Sequence, residues 1–238
     1  MTPTDRIFVA LDTTDIDRAV RLAESLRGYV GGMKIGKAFF SALGPEGVGK
    51  IAEKGMPLFL DLKFHDIPNT VADAMKVASG MRPFMLNVHA SGGPRMMRAA
   101  ARAARLAAES GGFEKPLVVG VTVLTSLGED DLKLVGINGP VIDQAVKLAV
   151  LAKASNLDGV VCSAREVMTL RGACGSDFKL VVPGIRPDWA TVEDDQKRVV
   201  TPAEAVALGA DYLVIGRPII DADDPVAAAR RIAGELDG

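Results

Sequence analysis

Within residues 59–70, FLDLKFHDIPNT, the side chains of Asp61, Lys63, His65 and Asp66 crowd six positions at the end of an apolar run. An ammonium flanked by carboxylates is held in its charged form, because nearby opposite charge favours ionisation. Lys63 then suits proton donation and not Schiff-base chemistry, which needs a neutral amine. Buried ion pairs stabilise poorly, since desolvation offsets their Coulomb gain, so an array of this kind implies a task. Two other uses of the same residues stand beside this one: a purely structural ion network, and a divalent cation held by Asp12, Asp61 and Asp66. Lys34 would place a positive charge beside such a cation, so a metal-free site is the expectation.

Side chains alternate along a strand, which puts Asp61 and Lys63 on one face and Leu60 and Leu62 on the other. Asp12 ends the run IFVALD and Lys34 lies in GMKIG, at comparable heights if the two runs are neighbouring strands. A second constellation comes later in the chain. VVPGIRPD (181–188) and VIGRPI (214–219) place Arg186, Gly216 and Arg217 where a strand would end. Backbone N–H groups and guanidinium donors there can hold phosphate oxygens; the alternative is two tight turns with solvated arginines.

Between them, the polar segment 187–202 is a candidate lid whose one amide side chain, Gln196, could bridge two polar parts of a ligand. Thr125 and Ser126, at the end of TVLTS, can donate and accept toward a ring amide or cap a following helix. His65 and His89 read as structural hydrogen-bonding groups, Trp189 as a loop anchor, and Met96 and Met97 as core.

The elements that must position these residues follow from periodicity. Eight β-branched runs recur: 7–12, 32–36, 57–64, 84–90, 116–125, 159–163, 179–185 and 212–219. Between them lie segments of helical spacing, such as Ala19, Leu22, Ala23 and Leu26, or Ile142, Ala145, Leu148, Ala149 and Ala152. Thr201-Pro202-Ala203-Glu204 reads as a helix start, with an N-cap, a proline at the first helical position and an acidic first turn. Apolar strands separated by helices imply a parallel sheet covered by helices, and eight such units favour an α/β fold of (β/α)8 TIM-barrel type. With 238 residues and no Pro/Ser-rich linker, the chain is expected to be a single domain over 1–238.

Net charge is −2 with both signs interspersed, which leaves no basic stripe for nucleic acid. Cys162 and Cys174 stand in no metal-binding or redox spacing and are expected to be reduced thiols. No apolar run approaches a spanning helix and the first residues lack the pattern of a signal peptide, so a soluble cytoplasmic protein without membrane contact is expected.

The motifs ALD (10–12), MKIG (33–36), DLKFHDIPNTV (61–71), NVHASGG (87–93), TVLTS (122–126), VVPGIRP (181–187), DDQKRVVTP (194–202) and VIGRPI (214–219) resemble, in order, those of the orotidine 5′-monophosphate decarboxylases. The resemblance covers nearly the whole chain. It implies cofactor-free decarboxylation of orotidine 5′-monophosphate to UMP, the last step of de novo pyrimidine synthesis. Lys63 would protonate C6, Asp61 would lie against the departing carboxylate, and Lys34 would connect the carboxylates to the ribose. Asp12 would bind a ribose hydroxyl, Thr125 and Ser126 the pyrimidine, and Gln196, Gly216 and Arg217 the phosphate region, with Arg186 near the lid. The resemblance further implies a homodimer in which Asp66 and Thr70 enter the partner's site. Related phosphosugar decarboxylases and hexulose-phosphate synthases share DxKxxD but resemble metal users with an acidic residue at the position of Lys34.

Overall fold

The computed structural model describes residues 1–190 and 200–236. Its strands are β1 (Ile7–Ala10), β2 (Gly32–Gly36), β3 (Leu58–Phe64), β4 (Met85–His89), β5 (Leu117–Val121), β6 (Gly159–Val161), β7 (Lys179–Pro183) and β8 (Tyr212–Ile215). They form a closed parallel barrel in chain order, as the eight alternating runs predict. The helices are α1 (Ile16–Leu26), α2 (Lys37–Ala52), α3 (Pro68–Gly80), α4 (Gly93–Gly111) and α5 (Glu129–Leu134), then α6 (Val141–Ala154), α7 (Val167–Cys174), α8 (Pro202–Ala207), α9 (Arg217–Ile220) and α10 (Pro225–Glu235).

Most strands are shorter than the apolar runs that announce them. β1 stops at Ala10, two residues before Asp12, and β5 stops at Val121, four before Thr125. Apolar character continues past the strand ends because the chain stays buried there: Leu11 and Val123 are both buried outside any strand. Thr125 and Ser126 are therefore exposed loop residues and do not end a strand. They do not cap α5 either, since its N-cap is Gly128, whose N–H donates to Asp131 Oδ2 at 2.8 Å.

Contacts within the chain cluster into two compact units, Met1–Leu62 with Val182–Gly238, and Lys63–Val181. In the first, Phe8 meets Phe59 and Tyr212 edge to face, at centroid separations of 6.4 and 5.6 Å. That geometry suits the ring quadrupoles, and the surrounding apolar groups push the Tyr212 phenol upward. Asp15 caps α1 by accepting from the N–H groups of Asp17 and Arg18. The stripe Ala19, Leu22, Ala23 and Leu26 is buried, and the helix packs beside α2 and α10. Thr201 and Glu204 exchange side-chain to backbone hydrogen bonds at the start of α8, the reciprocal box read from the sequence. Trp189 donates from Nε1 to Glu235 and lies under the Arg231 guanidinium, so it does anchor its loop.

In the second unit α3 and α4 pack against each other extensively. Ala100, Ala104, Ala107 and Ala108 line the buried side of α4, and their small size permits close helix approach. Met96 and Met97 are fully buried there. Helix α6 buries Ala145, Leu148, Ala149 and Ala152, with Ile142 half-buried at its start. Asp158 accepts from Lys115 Nζ and from the Val118 N–H, both at 2.7 Å, tying the segment before β6 to the start of β5. Cys162 and Cys174 are free and buried.

Candidate active site

The first unit brings three sequence candidates together. Ala10 pairs with Lys34, Lys34 with Phe59, and Gly36 with Asp61, so Lys34, Gly36 and Asp61 lie on one face of the β2–β3 ladder. Lys34 starts a step below Asp12 and Asp61, and its stem climbs past Gly36 to reach them. Its Nζ lies 3.3 Å from Asp61 Oδ2 and 3.8 Å from Asp12 Oδ1. The ammonium stands between the two carboxylates, in the space a shared cation would need. Among the described residues no group of three or more His, Cys, Asp and Glu side chains is placed to hold a metal ion.

The two contacts differ in weight. Lys34 and Asp61 are 8% and 9% exposed, so their charges meet with little water between them. At an effective dielectric near 20 such a pair attracts by roughly 5 kcal/mol, against a desolvation penalty of several kcal/mol per ion. The Asp12 side chain is 64% exposed, and water screens its contact. Lys34 and Asp61 are thus a fixed buried pair, while Asp12 presents a carboxylate to solvent and to any ligand.

Two glycines give this cluster its room. A Cβ on Gly36 would stand 3.2 Å from Lys34 Nζ and 3.9 Å from Asp12 Oδ1. One on Gly216 would stand 3.6 Å from Asp12 Oδ2. Gly216 precedes the short helix α9, which opens with Arg217, whose side chain is exposed. A short helix following the last strand is a frequent phosphate-binding element of such barrels. Arg186 is half-buried after β7, and its backbone N–H donates to Val200 O at 3.3 Å, joining the two ends of the intervening segment. Gln196 lies outside the described residues.

In the second unit Lys63 has φ +53° inside β3. Strict alternation ends at that residue, so the face of its side chain does not follow from the two-residue spacing to Asp61. Its N–H donates to Asn87 Oδ1 at 2.7 Å. His65 and His89 lie ring to ring, 5.5 Å between centroids. Asp66 turns back to accept from the Ile67 N–H, and Pro68 opens α3 with Thr70 exposed in its first turn. Gly36 and Asn87 were not singled out from the sequence, although both lie inside quoted motifs. What marks them is spatial: space beside one lysine, a hydrogen bond to the other.

Against this geometry, a family model described as orotidine 5′-phosphate decarboxylase / HUMPS matches residues 5–232. The chain belongs to this family. A relative from Rhodospirillum rubrum, named orotidine 5′-phosphate decarboxylase, is 54% identical over 98% of this chain and 94% of its own length. One of the same name from Paramagnetospirillum magneticum is 54% identical over 97% of both chains. The crystal structure of a Lactobacillus acidophilus protein with that name superposes with a TM-score of 0.86 at 35% identity, over 98% of this chain and 99% of the other. These matches span essentially the full length of each protein.

Proposed function

We propose that this chain decarboxylates orotidine 5′-monophosphate to UMP and carbon dioxide, the last step of de novo pyrimidine nucleotide synthesis, in the cytoplasm and without a cofactor. The observation that carries the reading, beside family membership, is the Lys34 ammonium seated between Asp12 and Asp61. Metal-using relatives would need that space for a cation.

The chemistry explains the charges. When the bond from C6 to the carboxylate breaks, its electron pair stays on C6 with no adjacent carbonyl to spread it. A fixed ammonium at that carbon is the direct electrostatic remedy. Lys63 supplies it and transfers its proton to C6 as carbon dioxide leaves; solvent then restores the proton. Asp61, already desolvated, lies against the departing carboxylate, and Lys34 links Asp61 to the ribose side. Asp12 takes a ribose hydroxyl, Thr125 and Ser126 the pyrimidine, and Gly216, Arg217 and Gln196 the phosphate region, with Arg186 near the lid. Phosphate binding far from C6 can offset the cost of holding the ring among buried charges.

Asp66 and Thr70 are read as contributions to the active site of a second copy in a homodimer. Ile67, beside Asp66, leaves an apolar side chain 66% exposed in the isolated chain, as an interface residue would.

The test is the fall in ultraviolet absorbance when protein is added to orotidine 5′-monophosphate, with and without a chelator. Turnover that is unaffected by chelation supports the reading. Absence of turnover, or turnover lost on chelation and restored by magnesium, overturns it.

A further inference from the structure

Lys63 is one of three described non-glycine residues at positive φ and the only one of the three within a strand. L-residues avoid this region because Cβ crowds the following carbonyl, so surrounding structure must hold it there. One contact to Lys63 is unlike ordinary strand pairing. Its backbone N–H donates at 2.7 Å to a side chain, Asn87 Oδ1. Asn87 is in the middle of β4 and is 0% exposed, among the few fully buried polar residues described. A buried amide in a strand otherwise made of Met85, Leu86 and Val88 costs free energy unless its polar atoms find partners. Two residues on, and so on the same side of β4, His89 places its ring 5.5 Å from that of His65, which is itself two residues beyond Lys63.

We propose that Asn87 is a positioning residue for the decarboxylation: by accepting from the Lys63 N–H it holds that residue's left-handed backbone and thereby aims the ammonium at C6. This rests on the reading of Lys63 as proton donor. The hydrogen bond is made by the backbone N–H, so this contact pins the Cα without itself drawing on the ammonium protons. Without the acceptor, the residue can relax toward negative φ, which swings the Cα–Cβ bond and carries the ammonium away from the reacting carbon. Displacements of about 1 Å in a reacting group can cost on the order of 100-fold in rate. Contacts of the phosphate and ribose do not pass through this bond, so binding should be largely spared.

The experiment compares Asn87→Ala, which removes the acceptor, with Asn87→Asp, which keeps an oxygen acceptor of the same length, and uses Lys63→Ala as the control. Expected for Asn87→Ala is a fall in kcat of roughly 10- to 100-fold with KM and UMP affinity changed only a few-fold. Asn87→Asp should recover part of the lost kcat. A packing role alone would instead lower the melting temperature and the active fraction while leaving kcat per folded site intact. If Lys63→Ala is inactive and folded Asn87→Ala keeps kcat within about two-fold of the parent, the positioning role is wrong while the donor assignment stands. If Lys63→Ala retains turnover, the donor assignment fails first. Equal loss in both Asn87 variants also overturns the proposal, because the acceptor then does not matter. Should neither variant fold, amide exchange in the parent protein decides: a protected Lys63 N–H supports the bond, and exchange at the rate of an unstructured amide refutes it.

Discussion

Lys34 and Lys63 both belong to the charged motifs, and the structure shows a different constraint on each. Lys34 is fixed by charge, with Asp61 at 3.3 Å and Asp12 at 3.8 Å. Lys63 is fixed through its backbone, at φ +53° with its N–H on Asn87. A network serving only cohesion would gain nothing from the second arrangement, since strain in the backbone opposes it. Lys63→Ala is accordingly expected to lower kcat by roughly 1000-fold or more while the circular dichroism spectrum and melting temperature stay near those of the parent. Steady-state kinetics on a verified folded variant checks this. Gly36→Ala is a milder probe of the same site. Its Cβ would stand 3.2 Å from Lys34 Nζ, closer than side chains ordinarily pack, so the ammonium must shift. The expected result is a loss of about 10-fold or more in kcat/KM with little change in thermal stability, measured by kinetics beside a melting curve.

At the scale of elements, the barrel strands end in turns and caps that satisfy backbone groups locally. The segment after β6 is one such ending. Ser163 and Glu166 cap each other, with the Ser163 N–H donating to Glu166 Oε2 at 2.9 Å. Glu166 is buried, and its desolvation pushes the carboxyl pKa up, more than the Ser163 N–H pulls it down. A folded pKa raised above the unfolded one means that protonation favours the fold. The contribution is fully present below the unfolded carboxylate pKa and is lost as pH rises through the raised value. Glu166→Gln keeps an acceptor for Ser163 but never ionises. The variant should therefore gain melting temperature relative to the parent at neutral pH, and the difference should shrink as pH falls through the carboxylate range. Paired melting curves from pH 4 to 8 test the sign; a gap that widens on acidification would show that burial does not govern this carboxylate.

For the whole molecule, complementation between variant chains tests how many chains make one working site. Asp66, just before α3, and Thr70, in its first turn, are both exposed, with Ile67 between them. If they act in a second copy, a Lys63→Ala subunit mixed with an Asp66→Asn subunit places both lesions in one site and leaves the other intact. With equal amounts and random pairing in a two-fold dimer, about half of the dimers are mixed, and activity should approach roughly a quarter of the parent level. Co-refolded mixtures are assayed alongside each parent variant. Verified heterodimers without any gain would remove Asp66 from the partner's site.

The sequence by itself determined the alternation of eight apolar runs with amphipathic helices, because period two and period 3.6 are local properties of the chain. It also determined the α8 cap and the buried stripes of α1 and α6, which depend on residues three or four positions apart. The candidate residues Asp12, Lys34 and Asp61 were legible as charges ending apolar runs. What only the tertiary structure decided was how each is held. The register that sets Gly36 opposite Asp61 joins residues 25 positions apart, and no local pattern encodes that pairing. The same holds for Asn87, whose partner Lys63 is 24 residues earlier. Alternation correctly orders Leu60, Asp61 and Leu62 but gives out at Lys63, because a left-handed backbone is imposed there by contacts from another strand and not by the lysine's own preference.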